Sequence, residues 1–223
     1  MTGRCSFEAA LFDLDGTLVD TLGDFVVALS RMLDEFGLPP VAAPFIRDRI
    51  GKGGEHLVHA VLEAVTGDPR RAQTQLAAAL ASFRRHYAAV NGRHAALFPG
   101  AAVALRCLQK RGVKLACVTN KPTGSSEALL RAMALDGYFE QVTGGDRFAR
   151  MKPDPLPLQK TCELLGVEPS RTLMVGDSVN DAAAARAAGC RVALVDYGYN
   201  HGRPVREVDA DRYLDSLDAL CAA

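Results

Sequence analysis

The sequence predicts an α/β fold, a doubly wound parallel sheet interrupted after its first strand by an all-helical insertion. Three observations predict it. Short runs that are apolar on both faces recur along the chain, as in strands covered by helices on each side. Amphipathic helical segments separate most of these runs, and strand–helix alternation implies a parallel sheet. From about Asp20 to Phe98, by contrast, only helical periodicity is found.

The elements follow in order. Ala9–Phe12 is the first buried strand, cut off by Asp13. The insertion opens with a stripe of Leu22, Phe25, Val26, Leu29, Met32 and Leu33 at helical spacing. Pro39-Pro40, Pro44 and Gly51-Lys52-Gly53-Gly54 punctuate it, and a helix is expected over about 54–65. Residues 72–89 are alanine-rich and strongly helix-forming. Phe98-Pro99-Gly100 turns the chain back to the sheet, and 100–111 reads as an amphipathic helix ended by Gly112.

Leu115–Val118 is the second strand, followed by a helix over 123–134. Gln141–Thr143 is a weaker strand closed by Gly144-Gly145. A helix over 154–165 starts near Pro155 and Pro157 and stops before Gly166. Leu173–Val175, a helix over 179–188 stopped by Gly189, and Val192–Val195 complete the sheet. Tyr197, Tyr199 and His201 are expected to pack under the sheet edge, and the charges of 203–218 to form a solvated face. Residues 1–19 plus 99–223 would make the α/β core, and residues 20–98 a helical domain.

The totals exclude some classes. Of 223 residues, 26 are basic and 26 acidic, so the net charge is zero. A nucleic-acid or membrane-surface protein would show a basic excess. The six cysteines (5, 107, 117, 162, 190 and 221) include no C-x-x-C pair, so zinc is not indicated. Cys117 and Cys190 read as small buried hydrophobes, and scattered thiols suit a reducing cytoplasm. The opening residues do not form a signal peptide, and no apolar run approaches a membrane span.

The chemistry gathers at strand ends. The first strand runs into Asp13-Leu14-Asp15-Gly16-Thr17, the second into Thr119-Asn120-Lys121, the weak third through a loop into Lys152-Pro153, and the fourth into Gly176-Asp177-Ser178-Val179-Asn180-Asp181. In open α/β sheets, sites form outside the carboxyl ends of strands where the strand order reverses. With the first strand central, Asp13, Asp15 and Asp177 would meet in one cleft. Two like charges 4 Å apart repel by about 4 kcal/mol at an effective dielectric near 20. A divalent cation offsets that repulsion, and oxygen ligands with room for water favour Mg²⁺. Thr119 and Lys152 then look like partners for an anion such as a phosphoryl group.

These four motifs, in this order and spread over nearly the whole chain, resemble those of the haloacid dehalogenase (HAD) superfamily. The resemblance implies a HAD-like, Rossmann-type core and casts Asp13 as the nucleophile that forms an aspartyl phosphate. Asp15 would act as general acid and then general base. Mg²⁺ would be held by the Asp13 carboxylate, the Asp15 backbone carbonyl and Asp177. Thr119 and the Asn120 amide would hold phosphoryl oxygens, Lys152 would neutralise developing charge, and Asp181 would support Lys152 or the metal's waters from behind. Dehalogenases of the superfamily generally lack an acid at the position of Asp15, so phosphoryl transfer is implied. The insertion resembles the C1 cap, which closes over small substrates.

A closer resemblance, to phosphoglycolate phosphatases, rests on Arg47-Asp48-Arg49-Ile50-Gly51-Lys52-Gly53, Gly144-Gly145-Asp146, Lys152-Pro153-Asp154-Pro155 and Tyr197-Gly198-Tyr199-Asn200-His201-Gly202. It implies a small phosphomonoester, 2-phosphoglycolate, as substrate. Its carboxylate would be met by Lys52 beside a helix N-terminus. A monomer or homodimer is expected.

Blander readings stand beside these. Asp177 and Asp181 can serve as an N-cap and a first-turn acid. Lys52 reads equally well as a solvated loop residue. Arg47 reads as structural, pairing with Asp48 or Glu55, and His56 and His59 as surface or packing residues. Other HAD phosphatases acting on sugar phosphates, nucleotides or pyrophosphate remain alternatives. So do a phosphosugar mutase, which usually carries a histidine shortly after the first motif, and a phosphonoacetaldehyde hydrolase using a cap lysine. A signalling receiver shares the acidic pocket but lacks a long insertion after its first strand.

Overall fold

The computed structural model describes residues 7–222, so Cys5 and the opening residues fall outside the description. The first strand, β1 (Ala9–Phe12), is wholly buried. A two-residue strand, β2 (Val19–Asp20), leads into four helices: α1 (Leu22–Glu35), α2 (Ala43–Arg47), α3 (Gly54–Thr66) and α4 (Pro69–Val90). The chain returns through β3 (Ala96–Leu97), antiparallel to β2. Then α5 (Ala101–Lys110), β4 (Lys114–Val118), α6 (Thr123–Ala132), β5 (Gln141–Thr143), α7 (Leu156–Leu165), β6 (Thr172–Gly176), α8 (Val179–Ala188), β7 (Arg191–Val195) and β8 (Arg212–Leu214) follow.

The main sheet has the order β5-β4-β1-β6-β7-β8, with every pairing parallel. The predicted α/β class and the central first strand are both observed. Alternate residues serve opposite faces, as the period of a strand requires. Ala10, Phe12, Leu115, Cys117 and Val175 pack with Leu105 and Leu108 of α5, while Leu11, Ala116, Val118, Met174 and Leu194 pack with Leu158 of α7 and Ala185 of α8. Five cysteines among the described residues are free, with Cys117 and Cys190 buried as expected.

Local signals set the helix ends. The Asp68 side chain accepts the Arg70 N–H at 2.9 Å, and Pro69 fills the first position of α4, where no N–H is needed. Ser178 and Asp181 form a reciprocal capping box at the start of α8, and left-handed glycines 166 and 189 close α7 and α8. The N-cap of α8 is therefore Ser178, not Asp177.

The four inserted helices have a hydrophobic cluster of their own, built on Phe25, Leu29, Met32, Leu57, Val61, Leu80, Phe83 and Tyr87. Its base is tied by Asp24, a fully buried carboxylate that accepts the Gly92 and His94 amides at 2.7 and 2.8 Å. No helix among the described residues is long and apolar enough to cross a membrane.

Two expectations change. The segment 203–218 is not only a solvated face, because Arg212–Leu214 adds an edge strand beside β7 and buries Leu214. The strand is only three residues long, with Leu214 and half-buried Tyr213 on opposite faces, too short for a periodicity to register. The stretch 20–98 also carries strand residues at both ends, in the β2–β3 ribbon through which the chain enters and leaves the helices.

Candidate active site

Register brings the motifs together. Phe12 lies opposite Cys117 of β4 and Val175 of β6, so the residues just beyond them, Asp13, Thr119 and Asp177, emerge at one end of the sheet. Asp13 is pinned by its own backbone, whose N–H donates to the Val175 carbonyl at 2.9 Å. Gly16 (φ +87°) then turns the chain, and a Cβ there would stand 2.4 Å from Asp177 Oδ2. Only glycine provides both the backbone conformation and the close approach.

Lys152 is the electrostatic centre of the floor. Its ammonium donates to the Val118 carbonyl and Asp181 Oδ1, each at 2.7 Å, and lies 3.0 Å from Asp13 Oδ1. Burial disfavours the charge, but Asp13 and Asp181 more than offset it and raise the lysine above its usual pKa. Asp181 is held on both sides: one oxygen takes Lys152, and the other takes the Ser178 hydroxyl at 2.8 Å and the Ser178 amide at 3.1 Å. Asp177 accepts the Tyr199 amide at 2.7 Å and the Thr17 hydroxyl at 3.2 Å.

Among the described residues, carboxylate oxygens of Asp13, Asp177 and Asp181 lie within 4.8 Å of one another. Burial above all raises the pKa of Asp13 to about 6 and that of Asp177 to about 8, against the pull of Lys152 on both. Such a group fits a divalent cation, whose charge would restore the ionised forms.

The carboxylate of Asp15 stands apart from that group. Both its oxygens face Lys121 Nζ, at 3.0 and 3.2 Å. Lys121 is 6% exposed and is also bonded by the Tyr87 hydroxyl of α4. In the sequence Lys121 stands within the second motif with no role of its own; its place directly after Thr119-Asn120, at a buried strand end, is the available signal.

The Asn120 side chain donates to the Lys152 carbonyl at 2.8 Å and to the Gly51 carbonyl of the helical insertion at 2.9 Å. Asn180 reaches the same Gly51 oxygen at 3.3 Å. A cavity of about 110 Å³ lies between, with Asp13, Asp15, Thr119, Asn120 and Lys121 below and Phe25, Leu57, Leu80, Phe83 and Tyr87 above.

Lys52 is not at this cavity. Ile50, Gly51 and Gly53 of the loop and Gly54 of α3 line it, whereas exposed Lys52 borders a separate groove with His56 and His201. Positive φ at Gly51 and Gly53 turns the backbone toward the floor. Arg47 pairs with neither Asp48 nor Glu55; it donates to the Tyr197 and Gly198 carbonyls at 3.2 and 2.9 Å. Of the tyrosines expected under the sheet edge, Tyr197 packs against the sheet's core cluster, whereas Tyr199 does not. Tyr199 packs into the helical cluster, donates its hydroxyl to Asp20 at 2.7 Å and accepts the Thr21 amide at 2.9 Å, while the Tyr197 hydroxyl donates to the Thr17 carbonyl at 2.9 Å. His59 faces Glu63 at 3.6 Å on the exposed side of α3.

Comparison with known proteins agrees with this geometry. Residues 10–195 match the family model of the haloacid dehalogenase-like hydrolases. The chain is 46% identical over 214 residues to a plasmid-borne phosphoglycolate phosphatase of Cupriavidus necator, covering 96% of this chain and 91% of that protein. It is 41% identical over 210 residues to a phosphoglycolate phosphatase of Thiobacillus denitrificans, covering 94% and 92%. Among solved structures it resembles a predicted phosphoglycolate phosphatase from Haemophilus somnus (TM-score 0.90, 31% identity, 99% of each chain). It also resembles CbbY from Rhodobacter sphaeroides in complex with phosphate (TM-score 0.82, 29% identity, 96% of each chain).

Proposed function

The chain belongs to the haloacid dehalogenase-like hydrolase family, and we propose that it hydrolyses 2-phosphoglycolate to glycolate and phosphate through an aspartyl phosphate on Asp13. It is a phosphatase, a phosphoric monoester hydrolase acting on a small phosphate ester. The observation that carries the mechanism is the Asp13–Lys152–Asp181 chain at the mouth of β1, beside Asp177 and beneath a roofed cavity.

An Asp13 oxygen attacks phosphorus, and the bond from phosphorus to the substrate oxygen breaks. Asp15 gives its proton to the departing alkoxide, then takes a proton from the water that attacks the aspartyl phosphate. The phosphorus–Asp13 bond breaks, and inorganic phosphate leaves. Thr119 and the Asn120 amide hold phosphoryl oxygens, and Lys152 orients Asp13 while offsetting negative charge. Mg²⁺, held by Asp13, Asp177 and the Asp15 carbonyl, would supply the charge that lets one anion approach another.

Residues 20–98 act as the cap and residues 1–19 plus 99–223 as the core. The cavity is smaller than the several hundred Å³ of pockets for drug-sized ligands, which suits a substrate of few atoms. The N-terminus of α3, through Gly53, Gly54 and Glu55, borders the cavity, and its partial positive charge suits a carboxylate. This assigns carboxylate recognition to the α3 backbone in place of Lys52. We place the enzyme in the cytoplasm as a monomer or homodimer.

The test is phosphate release with Mg²⁺ from phosphoglycolate, sugar phosphates, nucleotides and pyrophosphate. Phosphoglycolate should give the highest kcat/KM, and chelation with EDTA should abolish turnover until Mg²⁺ is restored. A panel led by another ester would overturn the substrate, and full activity in EDTA would overturn the metal.

A further inference from the structure

We propose that Lys121 is a positioning residue for Asp15 and that Tyr87 of the cap completes its hold, so that the acid–base group is aimed only while the cap is shut. The inference rests on the acid–base role given to Asp15 above.

A buried ammonium is tolerated only with its hydrogen bonds satisfied. The Lys121 side chain is 3% exposed, and its acceptors come from two parts of the molecule. The core supplies both oxygens of Asp15, and the cap supplies the Tyr87 hydroxyl. Two cap rings also face the ammonium, Tyr87 at 4.4 Å and Phe25 at 5.0 Å from their centroids. Aromatic faces attract a cation, the more so when water is excluded.

A lysine ammonium has three N–H donors. The two oxygens of one carboxylate lie too close together to take separate N–H groups, so Asp15 and Tyr87 account for two donors of a residue that also lines the cavity. Asp15 keeps unused lone pairs, since each carboxylate oxygen can accept twice. The bonds of Lys121 run to Asp15 and Tyr87, and a comparison of leaving groups separates action through the acid from contact with the substrate.

The Asp15–Lys121 attraction depends on dryness. The same pair is several-fold weaker in water than in a shielded site. Withdrawal of α1 and α4 would remove Phe25 and Tyr87 and admit water to the pair. Cap closure and the aiming of the acid are thus one event.

The experiment compares leaving groups. An alkoxide leaves only with a proton, whereas p-nitrophenolate leaves readily without one. Single-turnover release of the leaving group, which reports the first transfer before the shared hydrolysis of the aspartyl phosphate, is measured on phosphoglycolate, ethyl phosphate and p-nitrophenyl phosphate for the wild type, Lys121→Met, Tyr87→Phe and Asp15→Asn. Lys121→Met should lower this first-step rate about 100-fold on both alkyl esters and no more than about threefold on the aryl ester. Tyr87→Phe should show the same pattern at about fivefold to tenfold, and it carries the test if Lys121→Met proves unfolded by circular dichroism. Equal losses on alkyl and aryl esters, no loss, or a KM increase confined to phosphoglycolate would each overturn the inference. Asp15→Asn separates the two levels. If it is insensitive to the leaving group, the acid–base reading itself fails; if it is sensitive while both other variants are not, only the role of Lys121 fails.

Discussion

The floor and the roof of the cavity differ in what holds them. On the floor, Lys152 bridges Asp13 and Asp181, Asp181 is locked to Ser178, and Asp177 is gripped by the Tyr199 amide and Thr17. Directional bonds fix each of these groups around the ends of the buried strands β1 and β6. The roof is built from shape: Phe25 stacks on Phe83 with centroids 6.3 Å apart, and Tyr87 lies 4.9 and 5.5 Å from them. Roof meets floor through a small set of polar contacts, notably Tyr87 with Lys121, Gly51 with Asn120 and Asn180, and Arg47 with the 197–198 carbonyls. The difference teaches a division of labour. Chemistry needs placement to fractions of an ångström, which charges on rigid strands provide, whereas selection needs a dry surface that can lift away.

The strongest way to break this contrast is Asp13→Asn. Loss of the nucleophile should lower kcat on the order of 10⁴-fold on alkyl and aryl esters alike, read as phosphate release, with little change in melting temperature. An active variant would remove the floor from the chemistry. Phe83→Ala strikes the roof. Truncating a buried aromatic should cost about 3–5 kcal/mol in the helical bundle, measured by urea unfolding. The cavity it opens should raise KM for phosphoglycolate more than it lowers kcat. A large kcat loss at unchanged KM would blur the division.

Arg47→Ala probes the seam. Because Arg47 is exposed, its two carbonyl bonds should contribute only about 1 kcal/mol to closure, seen as a KM increase of about fivefold with the aryl ester less affected. The smallest effect is expected at Glu35, at the end of α1. Hydrogen bonds from Ser82, then Arg85 and His86, lower its pKa from 4.5 to about 2. Its ionised form therefore stabilises the bundle fully above about pH 4.5, and that contribution is lost as pH falls toward 2. Glu35→Gln should flatten the acid limb of the bundle's unfolding profile and leave the limb above pH 5 unchanged in slope.

Much of the floor was legible because its information is local. Ala9–Phe12 is apolar on both faces and stops at an acid, which announces a buried strand end; Gly176–Asp181 announces another, with a helix start built in. The roof was legible as helices but not in its aim. Lys52 sits one residue from glycines that line the cavity, and positive φ on either side sends it to another groove. Nothing in the composition of that loop distinguishes the two directions. Lys121 was hidden for a different reason, since its partners Asp15 and Tyr87 lie 106 and 34 residues away.

The sequence by itself determined the alternation of strands and helices, the helical insertion and the identity of the acids, because periodicity and residue type act over a few positions at a time. The tertiary structure alone decided which lysine serves which acid, which loop glycines line the cavity, and that Arg212–Leu214 joins the sheet. These depend on through-space distances between residues remote in the chain, and on burial, which sets the strength of every charge pair once the fold has excluded water.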